Sequence, residues 1–264
     1  MRSPLAWIGG KRLLARRVLK ALPEHRTYVE PFCGAGWVFF SKEPSKVEVL
    51  NDINGDLVAF WRVVQRHLEE FLKQFKFLLV GRETFADFKQ QLEAGGLTDV
   101  ERAARFYYLQ RCAFGGKVTG RTFGVSASEP PRINLLRMEE ELSAVHLRLA
   151  KVTIEHLSWE ECLRRYDRPE TCFYIDPPYV GSESDYGAGL FSRADHARLA
   201  AVLRTIQGRF ILSYNAVQEI ITLYDGFTVR HVDTQYSVNA KNSKKAAEVL
   251  ICNGTPAGLL EGAI

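Results

Sequence analysis

The 264-residue chain reads as an α/β protein: a mostly parallel sheet, closed by an antiparallel hairpin and interrupted by a helical insertion. Three features predict this. Short β-prone runs alternate with helical patterns along most of the chain, as they do where strands are joined by helical crossovers. The first run, residues 27–32 (TYVEPF), passes directly into Gly34-Ala35-Gly36, a tight strand-to-helix turn. Between the second and third strands there is room for three helices, where a parallel connection needs only one.

The elements follow in order. After residues 27–32, a second strand covers residues 46–50 (KVEVL) and ends at Asn51-Asp52. Leu57, Phe60, Trp61, Val64, Leu68, Phe71, Leu72 and Phe75 then recur at helical spacing and predict one long amphipathic helix. Phe85, Phe88 and Leu92 mark another, stopped by Gly95-Gly96. Thr98 with Glu101 forms a capping-box pattern that opens a third helix through Phe106, Tyr107 and Leu109. A Gly/Ser/Pro-rich run over residues 115–131 completes the insertion. The expected division is an inserted helical domain at residues 56–142 and a sheet domain formed by residues 1–55 and 143–264. Further strands are expected at residues 152–156, 172–175, 209–213, 227–232 and 248–252, the last two forming the hairpin.

Composition narrows the class. With 46% hydrophobic and 25% charged residues, the chain has ample material for a core. No stretch is long and apolar enough to span a bilayer, and the basic start is too interrupted by charge for a signal peptide, so a cytoplasmic protein is expected. The five cysteines are scattered without a C-x-x-C pair and the six histidines stand alone, so neither a metal nor a disulfide is expected. The net charge of +4 permits a polyanion partner. Its placement is more telling: Lys11, Arg12, Arg16, Arg17 and Lys20 crowd the start, and Lys241, Lys244 and Lys245 a late loop, as either polyanion contacts or solvated faces.

Three constellations carry chemistry. In the first, Glu30-Pro31-Phe32-Cys33-Gly34-Ala35-Gly36 is followed by Asp52 at the tip of the next strand. Small glycines let backbone approach a nucleotide-like ligand, and a carboxylate on the neighbouring strand can accept both ribose hydroxyls. The third glycine of a dinucleotide fingerprint is missing, since Gly36 precedes Trp37-Val38-Phe39, which suits a cofactor without phosphates. In the second, Asp176-Pro177-Pro178-Tyr179 follows the strand at residues 172–175. The prolines hold the chain extended and leave carbonyls as acceptors; with the Asp176 carboxylate and the Tyr179 ring they fit a planar aromatic amine. The third, Trp7-Ile8-Gly9-Gly10-Lys11, offers an apolar wall and a cation across a glycine turn.

The set resembles the Dam-type, D12-class adenine-N6 DNA methyltransferases: WIGGK, VEPFCGAGWVFF, LNDIN and DPPY match the family's motifs in type and order. The resemblance implies a Rossmann-like methyltransferase sheet that binds S-adenosylmethionine (SAM), with an inserted DNA-recognition domain. It implies methyl transfer to N6 of a flipped-out adenine in double-stranded DNA, releasing S-adenosylhomocysteine and needing no metal. By this likeness Trp7, Lys11, Phe32, Gly34, Ala35, Gly36, Asp52, Ile53, Ser158 and Asp176 hold SAM, and Asp176, Pro177, Pro178 and Tyr179 hold the base. Lys117, Arg121, Arg132, Asn239, Asn242 and Lys244 are the expected DNA contacts. Trp37 stands where the family has a small residue, and residues 116–134 are shorter than its recognition hairpin. A monomer is expected. Competing readings are an N4-cytosine or RNA-adenine methyltransferase, a non-catalytic DNA-binding regulator, and an NAD-type oxidoreductase.

Overall fold

The computed structural model describes residues 1–11, 14–124, 133–237 and 243–254. The chain runs α1 (Ala15–Ala21), β1 (Thr27–Glu30), α2 (Trp37–Ser41), β2 (Val47–Asn51), α3 (Gly55–Arg66), α4 (Leu68–Lys73), α5 (Arg82–Ala94), α6 (Asp99–Cys112) and α7 (Leu135–Leu149). It continues through β3 (Thr153–Glu155), α8 (Trp159–Tyr166), β4 (Thr171–Ile175), α9 (Arg193–Leu203), β5 (Arg209–Asn215), α10 (Gln218–Leu223), β6 (Thr228–Ser237) and β7 (Ser243–Cys252).

These strands form one sheet in the order β3-β2-β1-β4-β5-β7-β6. The first five are parallel, and β7 runs antiparallel between β5 and β6, so the expected α/β class and closing hairpin hold. Alternate side chains go to opposite faces, as strand geometry demands. Tyr28, Leu50, Tyr174, Ile211 and Leu250 enter one core, with α1, α2 and the helices between β2 and β3. Val29, Val49, Phe173, Leu212 and Ile251 enter the other, with α8, α9 and α10. The crossovers diverge between β1 and β4. In such open sheets ligands bind at that switch point, outside the carboxyl ends of the strands.

The long helix expected between Leu57 and Phe75 is two helices, α3 and α4, broken at His67 (φ −134°, ψ 40°). The break turns the second helix so that Phe71 and Phe75 meet the Tyr107 ring edge-on, at 5.6 and 5.7 Å between centroids. Packing against α6 wins over local periodicity. The expected capping box forms: Thr98 accepts from the Glu101 amide while Glu101 reaches back to the Thr98 amide. Phe60, Trp61, Phe106 and Tyr107 of this helical region belong to the same hydrophobic cluster as Tyr28 and Leu50 of the sheet. A buried ionic knot reinforces the junction, with Glu48 of β2 between Lys42 and Arg148 of α7.

Candidate active site

A cleft of about 740 Å³, its open mouth included, lies over the carboxyl ends of β1, β2 and β4. All three constellations line it: Trp7, Gly9, Gly10 and Lys11; Phe32, Gly34, Ala35 and Gly36 with Asp52 and Ile53; and Asp176 with Pro178.

One end is shaped by the main chain. Gly34 and Gly36 have positive φ, 47° and 64°, which lets the chain leave β1 and enter α2 without a side chain in the way. A Cβ on Gly34 would sit 2.9 Å from the Trp7 indole nitrogen, so the tryptophan is packed directly on this turn. Asp52 is clamped, its two oxygens accepting from the Gly34 and Asn54 amides at 2.9 Å each. Burial nevertheless pushes its carboxyl up from the ordinary value, against those amides. Asn51, fully buried, ties the rim together by donating to the Pro31 and Leu157 carbonyls and accepting from the Leu157 amide. Phe32 adds an apolar wall with Phe191, ring centroids 5.8 Å apart.

The other end is held by side chains. Asp176 leaves β4 at the sheet edge, and Lys11 Nζ stands 2.9 Å from its Oδ1. The same ammonium donates to the Gly9 carbonyl at 2.9 Å and lies 4.5 Å from the centre of the Tyr179 ring. Lys11, expected on the cofactor side, thus bridges the two ends. Ser213 of β5 donates to Asp176 Oδ1 at 2.8 Å. Burial raises the Asp176 carboxyl, while Lys11 and Ser213 pull it back down. Tyr179 donates its hydroxyl to Glu248 of β7, which is buried. Beneath, Glu30 lines the cleft, accepts from the Tyr28 hydroxyl at 2.7 Å, and is pushed by burial up to about 8.

Several participants carried no sequence signal of their own. Ser213 is an ordinary strand residue until β5 is laid beside β4. Tyr186 and Phe191 come from residues 180–191, a Gly- and Ser-rich stretch after the tetrapeptide. Tyr186 stacks on Trp7 at 6.4 Å and donates to the Ile8 carbonyl. Trp37 covers Gly10: its indole nitrogen lies 2.7 Å from where a Cβ would stand.

Not every expected residue reaches the cleft: of the four expected to hold the base, Asp176 and Pro178 line it and Pro177 and Tyr179 do not. Ser158 does not line it; exposed, it caps α8 by accepting from the Glu161 amide. Arg121 turns inward instead of outward: its guanidinium donates to Gln110 Oε1 at 3.2 Å and lies 5.3 Å from the Phe106 ring. The gain is local order, because Gln110 in turn donates to the Ala6 and Gly116 carbonyls and so ties the insertion to the Trp7 loop. Lys117 is exposed on the same loop. Lys244, expected in the loop joining the last two strands, is part of β7 opposite Tyr236, because the hairpin ladder extends further than its hydrophobic run. Arg132, Asn239 and Asn242 lie outside the described residues. All five cysteines are free and buried; Cys33 lines the cleft with its thiol pushed up by burial, a poor state for a nucleophile. Among the described residues no helix is long and apolar enough to cross a membrane.

The chain's likeness to known proteins agrees with this geometry. Residues 7–238 match the family profile described as D12 class N6 adenine-specific DNA methyltransferase. The chain is 24% identical over 252 residues to the Type II methyltransferase M.CviBI of Paramecium bursaria Chlorella virus NC1A, covering 94% of this chain and 96% of that one. It is 28% identical over 265 residues to the Retron Ec67 DNA adenine methylase of Escherichia coli, covering 96% and 92% respectively. With the DNA adenine methylase of Vibrio cholerae it shares 27% identity over 215 residues, 76% of this chain and 75% of the relative.

Proposed function

The chain belongs to the D12 class of N6 adenine-specific DNA methyltransferases, and we propose how its own residues carry out that reaction. The observation that carries the reading is that Asp176, Asp52 and the Gly34–Gly36 turn line one cleft.

The methyl donor that fits this cleft is SAM. Asp52 and Asp176 line it beside Glu30, whose carboxyl burial pushes up to about 8, and among its described lining residues the single Lys or Arg is Lys11, already paired with Asp176. A pyrophosphate would find no uncommitted cation among them, whereas SAM brings a sulfonium and an ammonium. Asp52, held by two backbone amides, presents its remaining lone pairs to the ribose hydroxyls. Trp7, Phe32 and Phe191 enclose the apolar parts. SAM supplies an electrophilic methyl on its sulfonium.

The remaining work falls to the Asp176 end. Adenine's amine lies inside the duplex, so the nucleotide is flipped out at a cost of a few kcal/mol. Tyr179 recovers part of this by stacking, worth ~1–3 kcal/mol per base. The amine would donate to the Asp176 carboxylate and the Pro177 carbonyl, which localises its lone pair; as the N–CH3 bond forms the S–CH3 bond breaks, and the proton shed by the methylated nitrogen would pass to the Asp176 carboxylate and on to water. For that Asp176 must be ionised, and Lys11 at 2.9 Å opposes the burial that would protonate it. The acceleration comes largely from such positioning, without a covalent enzyme intermediate.

DNA is held by the helical insertion, residues 56–142, and by the hairpin of β6 and β7. Lys117 meets a phosphate, with Arg132, Asn239, Asn242 and Lys244 as further contacts; Arg121 supports the recognition loop from within.

The test is transfer of labelled methyl from SAM to mixed genomic DNA, then digestion to nucleosides and identification of the product by mass. N6-methyladenine is expected. N4-methylcytosine, or no labelled nucleoside, would overturn the proposal.

A further inference from the structure

The two ends of the cleft are joined from behind by a buried histidine that no motif includes. His196 lies on α9 and has no exposed surface. Its ring has three neighbours. On one side it meets Phe191, the cofactor wall, edge-on at 5.0 Å between centroids. Its Nδ1 lies 2.6 Å from the Tyr214 hydroxyl, and the Tyr214 ring packs at 5.8 Å behind Tyr179. Its Nε2 lies 3.1 Å from Glu183 Oε1. These partners suit one another: a proton on Nε2 is donated to the carboxylate, and Nδ1 accepts from the tyrosine.

Glu183 belongs to the flap of residues 180–191 that covers the cleft. Its other carboxylate oxygen accepts from the Gly181 amide at 3.0 Å, so one side chain fastens the flap to itself and to α9. Three residues on, Tyr186 stacks on Trp7 and donates to Ile8. Asn215 holds the near end of the flap through the Val180 carbonyl, and Thr119 of the insertion touches it at the Asp185 carbonyl. Among the described residues, the stretch between Val180 and Asp185 is otherwise held by its local turns.

We infer that His196 is a positioning residue: through Glu183, Tyr214 and Phe191 it sets the flap, the base-stacking ring and the cofactor wall in one geometry. A buried imidazole held between a buried tyrosine hydroxyl and a part-exposed carboxylate at the back of a cleft is polar material that a sheet core does not need for stability. Its three ends touch the three surfaces that must be aligned for in-line transfer, where a displacement of about 1 Å costs ~10²-fold in rate.

This inference rests on the methyltransferase reading, and the experiment separates the two. Glu183 is 21% exposed, so Glu183→Ala removes the flap tie without opening a cavity. The expected result is a folded protein whose melting temperature falls by no more than a few degrees as His196 loses an acceptor, kcat lowered about tenfold, and affinity for S-adenosylhomocysteine by calorimetry lowered about fivefold, the net range of one ordinary protein hydrogen bond. Glu183→Gln, which can still accept from His196, should recover most of both losses. Tyr214→Phe should lower kcat by acting at the other end of the chain. If both act through His196, the double variant is no worse than the poorer single one. Glu183→Ala with kcat and affinity within twofold of the parent, or two losses that simply multiply, would overturn the inference. A parent protein that binds S-adenosylhomocysteine but methylates no DNA would sink the functional reading while leaving the affinity test intact.

Discussion

The two ends of the cleft are built by different means. At the cofactor end the shape comes from the main chain: two glycines at positive φ, a tryptophan laid on one of them, and an aspartate pinned by two amides. At the end proposed for the base, side chains converge from separate places: Lys11 and Asp176 line the cleft, and Tyr179, Ser213 and Glu248 pack or hydrogen-bond next to them. The first is fixed by turn stereochemistry and backbone hydrogen bonds. The second is an electrostatic balance, in which burial raises the Asp176 carboxyl and the Lys11 ammonium, with the Ser213 hydroxyl, pulls it back down. Changes at the first end should appear in cofactor affinity, and changes at the second in turnover and its pH dependence.

The largest effect should separate the ends most sharply. Asp176→Ala is expected to lower kcat by ~10²- to 10³-fold, the scale of losing a polar group aimed at the reacting centre, with S-adenosylhomocysteine still bound in calorimetry. Comparable loss of both would mean the ends are not separable. Gly34→Ala is the converse. Strain at φ 47° and the contact with Trp7 should weaken S-adenosylhomocysteine binding by ~10- to 100-fold.

Lys11→Met sharpens the electrostatic side. Asp176 is already raised by burial, and losing Lys11 raises it further, so the acid limb of kcat/KM should move to higher pH. An acid limb that stays in place would remove Asp176 as the titrating group.

Glu30 reports through stability. Its carboxyl is raised from 4.5 to about 8, so between those values the unfolded chain gives up a proton that the folded one keeps. Folding stability should therefore fall as pH rises through that window, by on the order of 1 kcal/mol per pH unit, and Glu30→Gln should flatten the slope in melting experiments. A profile identical to the parent's would show that Glu30 is ionised in the fold. The smallest effect is expected outside the cleft: Lys117→Ala should reduce the slope of log DNA affinity against log salt by about one.

Legibility followed the same division. The cofactor end could be read because its parts are contiguous: a turn needing small residues must carry glycines in sequence, and Asp52 stands at a strand tip. Asp176-Pro177-Pro178-Tyr179 was legible as a motif for the same reason, and its Asp176 and Pro178 line the cleft. Lys11 was visible as a cation but not as the partner of Asp176, since the pair is 165 positions apart, 176 minus 11. Arg121 looked like a DNA contact because arginines in polar loops usually face water; only the fold shows Gln110 and Phe106 waiting for it. Ser213, Tyr186, Glu248 and His196 had no local pattern to mark them.

By itself the sequence determined the α/β alternation, the helical character of the stretch between the second and third strands with its capping box at Thr98 and Glu101, and the short motifs whose chemistry depends on neighbours along the chain. Hydrophobic periodicity and turn stereochemistry act over a few residues, so they are written where they act. The tertiary structure decided the break at His67, the inward turn of Arg121, and the charge balance around Asp176. Each of these depends on what lies across a packed interface, and burial strengthens an electrostatic contact only once the interface has excluded water.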